Sequence, residues 1–190
     1  MANWKIVSIG RLKSLWSKAR FRRDKRGVAA VEFAMIVPLM VALYMGAVEF
    51  GQVLAVDRRV STVASATADL VAQAEEISTS EIGDIFTISS SIMKPYDVSS
   101  LKIVLTSVIA DEDNATTVDW SEAFNGGSVN TEGADYTLPS SNMTQPFGSI
   151  IIAEVEFTYR SPLLFHIDED IVLKNTFYMR PRKTLAVEKN

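Results

Sequence analysis

The sequence contains no cysteine and a single histidine. The absence of cysteine excludes disulfides, thiolate metal sites and cysteine nucleophiles, so any folded domain depends on its hydrophobic core. No phosphate-binding loop, dinucleotide fingerprint, nucleophile elbow or zinc motif is present. His166 lies beside Asp168, Glu169 and Asp170, a cluster that offers at best weak calcium binding and is more typical of a solvated loop. We therefore predict no catalytic residue, no metal site, no cofactor and no enzymatic activity.

Basic residues are concentrated at the start of the chain. Residues 1–27 hold nine Lys or Arg and one acid, a net charge of +8, whereas the other ten basic and 22 acidic residues give −12 and an overall charge of −4. A basic segment directly before an apolar run stays on the cytoplasmic side of a membrane. Because this segment should lie against the membrane, we do not expect it to bind nucleic acid. The residues expected to fix this orientation are Arg20, Arg22, Arg23, Lys25 and Arg26.

Residues 28–48 form a long apolar run in which Glu32 is the only charged residue. At about 1.5 Å per residue, a helix of this length just spans a hydrocarbon core of roughly 30 Å. Soluble helices rarely stay apolar on every face for this length, and cleaved secretory signals have shorter runs with a small-residue exit site. We therefore predict a basic cytoplasmic leader at 1–27, a transmembrane helix at 28–48 and an exported domain at 49–190.

Two residues inside the run are unusual for a membrane helix. Pro38 removes one helical hydrogen bond, which membrane helices tolerate. An ionised Glu32 inside the bilayer costs about 2.5–3.5 kcal/mol on insertion scales. Glu32 lies close enough to the inner edge to reach the headgroups, or it pairs with another group in the membrane, and the sequence leaves both explanations open.

The junction between leader and helix carries a recognisable motif: Arg26-Gly27, then Val28-Ala29-Ala30-Val31-Glu32-Phe33, then the apolar helix with Pro38. It resembles the type IV pilin (class III) signal, in which a membrane aspartic peptidase cuts after the glycine and a glutamate is fifth in the mature chain. Together with residues 46–54 (GAVEFGQVL), it is similar to the TadE-like pseudopilins of the tight-adherence (Tad/Flp) pilus. The resemblance is specific from Gly27 to about Val60 and diffuse afterwards, at 118–121, 153–155 and 179–182.

The resemblance implies a single-pass protein of the bacterial inner membrane, with a periplasmic C-terminal domain, that can also be incorporated into the pilus. It implies cleavage between Gly27 and Val28 by a prepilin peptidase, although some relatives keep their leader. Glu32, Phe33 and Pro38 would set the docking of the helix to other pilins. The pilus assembly platform and membrane lipid are the further partners that the resemblance implies.

The exported part predicts an α+β fold, similar to that of pilins, with a long N-terminal helix, a second short helix and an antiparallel sheet of about four strands. The first helix should continue to about residue 76. Its apolar stripe faces a sheet or, alternatively, a coiled-coil partner. Ser78 to Glu81 has capping-box spacing and should start the second helix, and Pro95 should end it. The stripe consists of Val53, Val56, Val60, Val63, Thr67, Leu70 and Ala74.

Four stretches alternate apolar and polar residues, as expected of strands in a sheet covered on one face only. Residues 124–149, rich in Gly, Asn, Ser, Thr and Pro, predict a long surface loop. The alternating stretches contain Leu101 to Ile109, Val118 and Trp120, Ile151 to Tyr159, and Ile171 to Met179.

Two functions are open from the sequence. The first is a minor pseudopilin that takes part in assembly of a tight-adherence pilus and docks through its apolar helix. The second is an unprocessed, signal-anchored envelope protein whose exported domain binds a ligand or a partner protein. Replacement of Glu32 by alanine separates them, because only the first function requires that carboxylate.

Overall fold

The computed structural model describes residues 26–161 and 170–190. The chain divides into two units between Ala47 and Val48. A long helix, α1 (Arg26–Ala72), begins in the first unit and ends in the second, and Pro38 lies inside it without ending it. The second unit also contains a short helix and a four-stranded antiparallel sheet. The predicted α+β class and its elements are therefore confirmed.

One side of α1 is buried in the second unit. Val56, Val60 and Val63 are fully buried, as their spacing predicts. The prediction is wrong further along, because Leu70 is 38% exposed and Val71 is buried in its place. Alternate spacings of three and four average 3.5 residues per turn, whereas a straight helix has about 3.6, so the buried side moves to the next residue after several turns.

α1 ends at Ala72, slightly before the predicted position. The main-chain N–H of Arg182 donates to the carbonyl of Ala72 (2.8 Å). The last carbonyls of a helix have no partner within the helix, and a distant part of the chain supplies one here. The side chain of Arg182 also pairs with Asp69. The end of α1 is therefore fixed by the C-terminal segment, which no local pattern around residue 72 reveals.

The short helix α2 (Thr79–Ser90) begins at the predicted capping box. The main-chain N–H of Glu81 donates to the Ser78 hydroxyl (3.3 Å), and the main-chain N–H of Ser78 donates to the Glu81 carboxylate (2.8 Å). This bonding to Ser78 lowers the pKa of Glu81. The helix ends at Ser90 and continues as a 3-10 turn, Ser91–Met93, so Pro95 is not the residue that ends it.

Within the described residues, six strands form two sheets. The four-stranded sheet is antiparallel and has the order β3-β2-β4-β5, and a separate pair joins β1 and β6 in parallel. β2 and β4 are central and bury nearly all of their apolar residues. In chain order the strands are β1 (Glu76–Ile77), β2 (Leu101–Ala110), β3 (Thr116–Phe124), β4 (Ser149–Tyr159), β5 (Ile171–Met179) and β6 (Glu188–Lys189).

A bulge in β3 changes the direction of its side chains. Trp120 lies opposite Ser107, but Val118 lies opposite Val108, so Asp119 is an extra residue on β3. Adjacent residues of a strand point to opposite faces, and Val118 and Trp120 therefore point to different faces, contrary to the predicted alternation. Only Trp120 of the two joins the core under α1.

The far face of the sheet is covered along part of its length. Val108, Ile150 and Ile152 form a second, smaller core. The segment between β3 and β4 covers this core and makes a bridge between Thr117 and Asp135. The predicted loop is present, and it covers part of the sheet face opposite α1, where the alternating pattern predicts no second apolar cluster. The residues that pack on the second core are Tyr136, Leu138, Met143 and Tyr178.

Candidate membrane and assembly site

The part of α1 in the first unit exposes large apolar side chains in every direction. Phe33, Met35 and Leu43 are 68%, 76% and 65% exposed. The helix is long and apolar enough to cross a membrane, and none of its most apolar stretch is buried in the fold. A soluble helix buries such a surface, whereas a membrane helix presents it to lipid. This surface is that of a single-pass membrane anchor.

The predicted assembly residues all lie on this part of α1. Glu32, Phe33 and Pro38 are exposed. Glu32 and Phe33 are neighbours near the start of the helix, so their side chains point in directions about 100° apart. An exposed carboxylate on an apolar helix is available to pair with a group from outside the chain.

The predicted processing site lies in the first turn of α1. Gly27 and Val28 directly follow Arg26, the first residue of the helix, and both are exposed. No other part of the described chain comes within 4 Å of the position that a Cβ of Gly27 would occupy. Four of the predicted orientation residues, Arg20, Arg22, Arg23 and Lys25, lie outside the described residues.

Glu49 is a second acidic residue of α1, in a very different environment. It is 1% exposed, and the hydroxyl of Ser161 donates to its Oε1 (2.7 Å). One turn further on, the hydroxyl of Tyr159 donates to Oε1 of Gln52 (3.2 Å). Because Tyr159 ends β4, these two bonds hold α1 against the end of that strand. In the sequence, Glu49 is the charged residue that follows the apolar run, and no nearby pattern predicts that it is buried.

Arg59 extends this set of polar contacts. Its Nη1 donates to the carbonyls of Ile92 and Lys94 (2.9 and 2.8 Å), and its guanidinium lies over the ring of Tyr96, 5.8 Å from the centroid. Tyr96 in turn meets Tyr159 edge to face at 6.2 Å. The turn after α2 is therefore joined to both α1 and β4 by directional contacts.

The uncovered part of the far sheet face carries charged side chains that satisfy one another. Glu156 lies between Lys174 (2.7 Å) and Lys102 (3.3 Å) on neighbouring strands, and mainly the bond from Lys174 lowers the pKa of Glu156. At the end of β4, Arg160 binds both carboxylate oxygens of Asp170 and lowers its pKa. These pairs are exposed and typical of a solvated surface.

No cluster of His, Asp and Glu within residues 26–161 and 170–190 is arranged to hold a metal ion. Most of the acidic turn near the single histidine lies outside the described residues, which include neither His166 nor Asp168 nor Glu169.

The comparisons with curated proteins and with solved structures gave no match. Residues 27–69 match the family model described as TadE-like protein. The matched segment covers nearly all of α1, beginning at the glycine of the predicted processing site, and the sheet lies outside it. The predicted resemblance is confirmed over this segment: α1 is similar to the matching segment of TadE-like proteins, and a long apolar helix of this kind fits a pseudopilin associated with a Tad pilus.

Proposed function

We propose that this chain is a non-enzymatic minor pseudopilin that takes part in assembly of a tight-adherence pilus. One observation carries the proposal: the segment that matches the TadE-like family is also the helix that exposes its apolar side chains. Such a helix can serve as an anchor in lipid before assembly and as a packing surface for other pilins during assembly. The sheet of the second unit then remains outside the membrane as a contact domain.

Processing would occur after Gly27, which makes Val28 the new N-terminus. Support comes from the exposed positions of Gly27 and Val28 at the start of α1. Mass spectrometry of the protein recovered from membranes should find a chain that begins at Val28, and Gly27→Leu should leave the leader attached. A wild-type chain that still begins near Met1 would contradict processing and favour the unprocessed anchor.

Docking would depend on Glu32. An ionised carboxylate at this depth costs about 2.5–3.5 kcal/mol without a partner, and a free amine at Val28, from the same or a neighbouring subunit, would offset that cost. Incorrect registers would leave the charge unpaired and would be disfavoured. Phe33 and Pro38 would contribute shape, since both are exposed beside or beyond Glu32 on the same helix.

The decisive experiment replaces Glu32 by alanine in cells that assemble the pilus. We expect E32A to abolish or strongly reduce surface pili while the amount of protein in the membrane stays at the wild-type level. Glu75→Ala, which removes an exposed acid outside the matched segment, is the control and should leave pili unchanged. Normal pili with E32A would favour the rival function, a signal-anchored envelope protein whose exported domain binds a ligand or another protein.

Orientation can be tested in the same cells. The basic leader, including Arg20 to Arg26, should keep the N-terminus in the cytoplasm and place the second unit in the periplasm. The chain has no cysteine, so Thr62→Cys introduces a unique thiol at an exposed position of α1. A maleimide that crosses the outer but not the inner membrane should label it. Absence of labelling, with labelling after the inner membrane is opened, would reverse the orientation.

A further inference from the structure

The exposed side of α1 remains apolar beyond the predicted end of the membrane segment. Phe50 is 64% exposed and Leu54 is 43% exposed, and Gly51 and Ala55 are exposed between and beside them. Glu49 does not interrupt this surface, because it is buried and accepts a hydrogen bond from Ser161. The acid that ends the apolar run in the sequence therefore points into the fold.

The exposed apolar surface ends abruptly after Ala55. Asp57 is half-buried, and Arg58 is the first fully exposed charged residue after Glu32 along the helix. Further positions on the exposed side are mostly polar, with Thr62 and Gln73 as examples. A helix that packed on a partner in water would continue its apolar stripe along α1. A helix that leaves a bilayer would instead lose its exposed apolar residues where it reaches the membrane surface.

The length of the exposed apolar surface indicates where it ends relative to the layers of the bilayer. From Val28 to Ala55 the helix rises by about 40 Å at about 1.5 Å per residue. The hydrocarbon core is about 30 Å thick, and the bilayer with both headgroup layers is about 40–45 Å thick. To fit about 40 Å into the hydrocarbon alone, the helix would have to tilt by roughly 42°, about twice the average tilt of membrane helices and at the upper limit of their range.

We propose that Phe50 and Leu54 contact the headgroup layer of the outer leaflet. The proposal rests on the membrane anchoring in the proposed function. At this depth an apolar side chain gains by contact with lipid, and a carboxylate that faced lipid would be disfavoured. The inward position of Glu49, with Ser161 as hydrogen-bond donor, satisfies both requirements.

The absence of cysteine allows a direct measurement of depth. Single-cysteine variants of the full chain at Leu43, Phe50, Leu54 and Thr62 are labelled with an environment-sensitive dye and placed in phosphatidylcholine vesicles at high dilution. One set of vesicles carries a nitroxide quencher on the headgroup, and the other carries it on the upper acyl chain. Thr62→Cys is the matched control, because it lies on the exposed side about 12 Å beyond Leu54.

We expect the acyl-chain quencher to act most strongly on the label at Leu43, and the headgroup quencher to act several-fold more on the labels at Phe50 and Leu54 than on the label at Thr62. Equal, weak quenching at Phe50, Leu54 and Thr62 with strong quenching at Leu43 would overturn the lipid contact and leave the anchor intact. Loss of quenching at Leu43 as well would overturn the anchor and the proposed function. A third outcome would identify a protein partner in place of lipid. In that case quenching at Phe50 and Leu54 would fall as the protein density in the vesicles rises, while quenching at Leu43 would not.

Discussion

The contribution of the buried carboxylate of Glu49 can be worked out from its contacts. Replacement by alanine removes a buried hydrogen bond and leaves the Ser161 hydroxyl, itself buried, without this acceptor, which costs about 1–3 kcal/mol. We therefore expect E49A to lower the free energy of unfolding of the second unit by about 1–3 kcal/mol. E49Q keeps an acceptor oxygen and nearly the same volume, so its loss should be about 1 kcal/mol or less.

Urea unfolding of the full-length protein in detergent micelles measures these losses. The fluorescence of Trp120, which is buried in the core under α1, reports unfolding once Trp4 and Trp16 are replaced by phenylalanine. With a urea dependence of about 1–3 kcal/mol per molar, a loss of 2 kcal/mol moves the midpoint by roughly 1 M. Glu75→Ala removes an exposed acid and should change stability by less than about 0.5 kcal/mol.

Equal midpoints for E49A and E75A would refute this reasoning, since the buried acid would then contribute no more than an exposed one. A second test uses Ser161→Ala alone and together with E49A. Because both substitutions remove the same hydrogen bond, their combined loss should be smaller than the sum of the separate losses. A fully additive result would mean that Ser161 is not the partner that matters.

The same titration tests three further predictions. Ser78→Ala removes the side-chain cap of α2 and should cost about 1 kcal/mol. Burial raises the pKa of Asp119, and nearby carboxylates add to the effect. The charge of Asp119 therefore opposes folding at neutral pH, and Asp119→Asn should be slightly stabilising there. This advantage should fade as the pH falls through the raised pKa, because the wild-type residue becomes protonated. Gly127→Ala should cost about 1–3 kcal/mol because a new Cβ would lie 2.8 Å from Cγ2 of Val104, whereas Gly83→Ala, in open space on α2, should gain about 0.5–1 kcal/mol.

Sequence patterns predicted the elements that depend on local chemistry. Ser78 caps the start of α2. Its hydroxyl and the carboxylate of Glu81 are three residues apart in sequence, and both bonds of the capping box form. The four long strands appear where apolar residues alternate. The position of the membrane helix follows from composition alone, since an apolar run of that length is typical of a membrane-spanning helix. In each case the information lies within a few residues of the feature.

The features that the sequence did not predict depend on contacts between distant residues. The bulge at Asp119 reverses Val118 relative to Trp120, and no pattern within β3 marks it. The second core forms because Tyr136 and Leu138, scattered in a polar segment, meet Ile150 on β4. Isolated apolar residues in such a segment produce no periodicity, so an alternation-based prediction treats the whole segment as solvent-exposed.

The two acids of α1 show the same limit at the candidate site. Each lies in the triplet Val-Glu-Phe, at 31–33 and at 48–50, so their local sequences are identical. Glu32 is exposed with Phe33, whereas Glu49 is buried and leaves Phe50 exposed. At the second triplet, Ser161, two residues after the end of β4, donates a hydrogen bond to the buried carboxylate.

Substitution of the two acids should therefore fail in different ways. Loss of Glu49 should weaken the second unit, and any loss of pili would follow from reduced stability or amount of protein. Loss of Glu32 should leave the unfolding of the second unit unchanged, because Glu32 lies in the other unit, and should act on assembly alone. A loss of pili with E32A thus supports docking through Glu32 only if the urea midpoint of the same variant matches that of the wild type. If E32A lowers that midpoint as much as E49A does, the assembly role of Glu32 loses its support, because both acids would then act through stability.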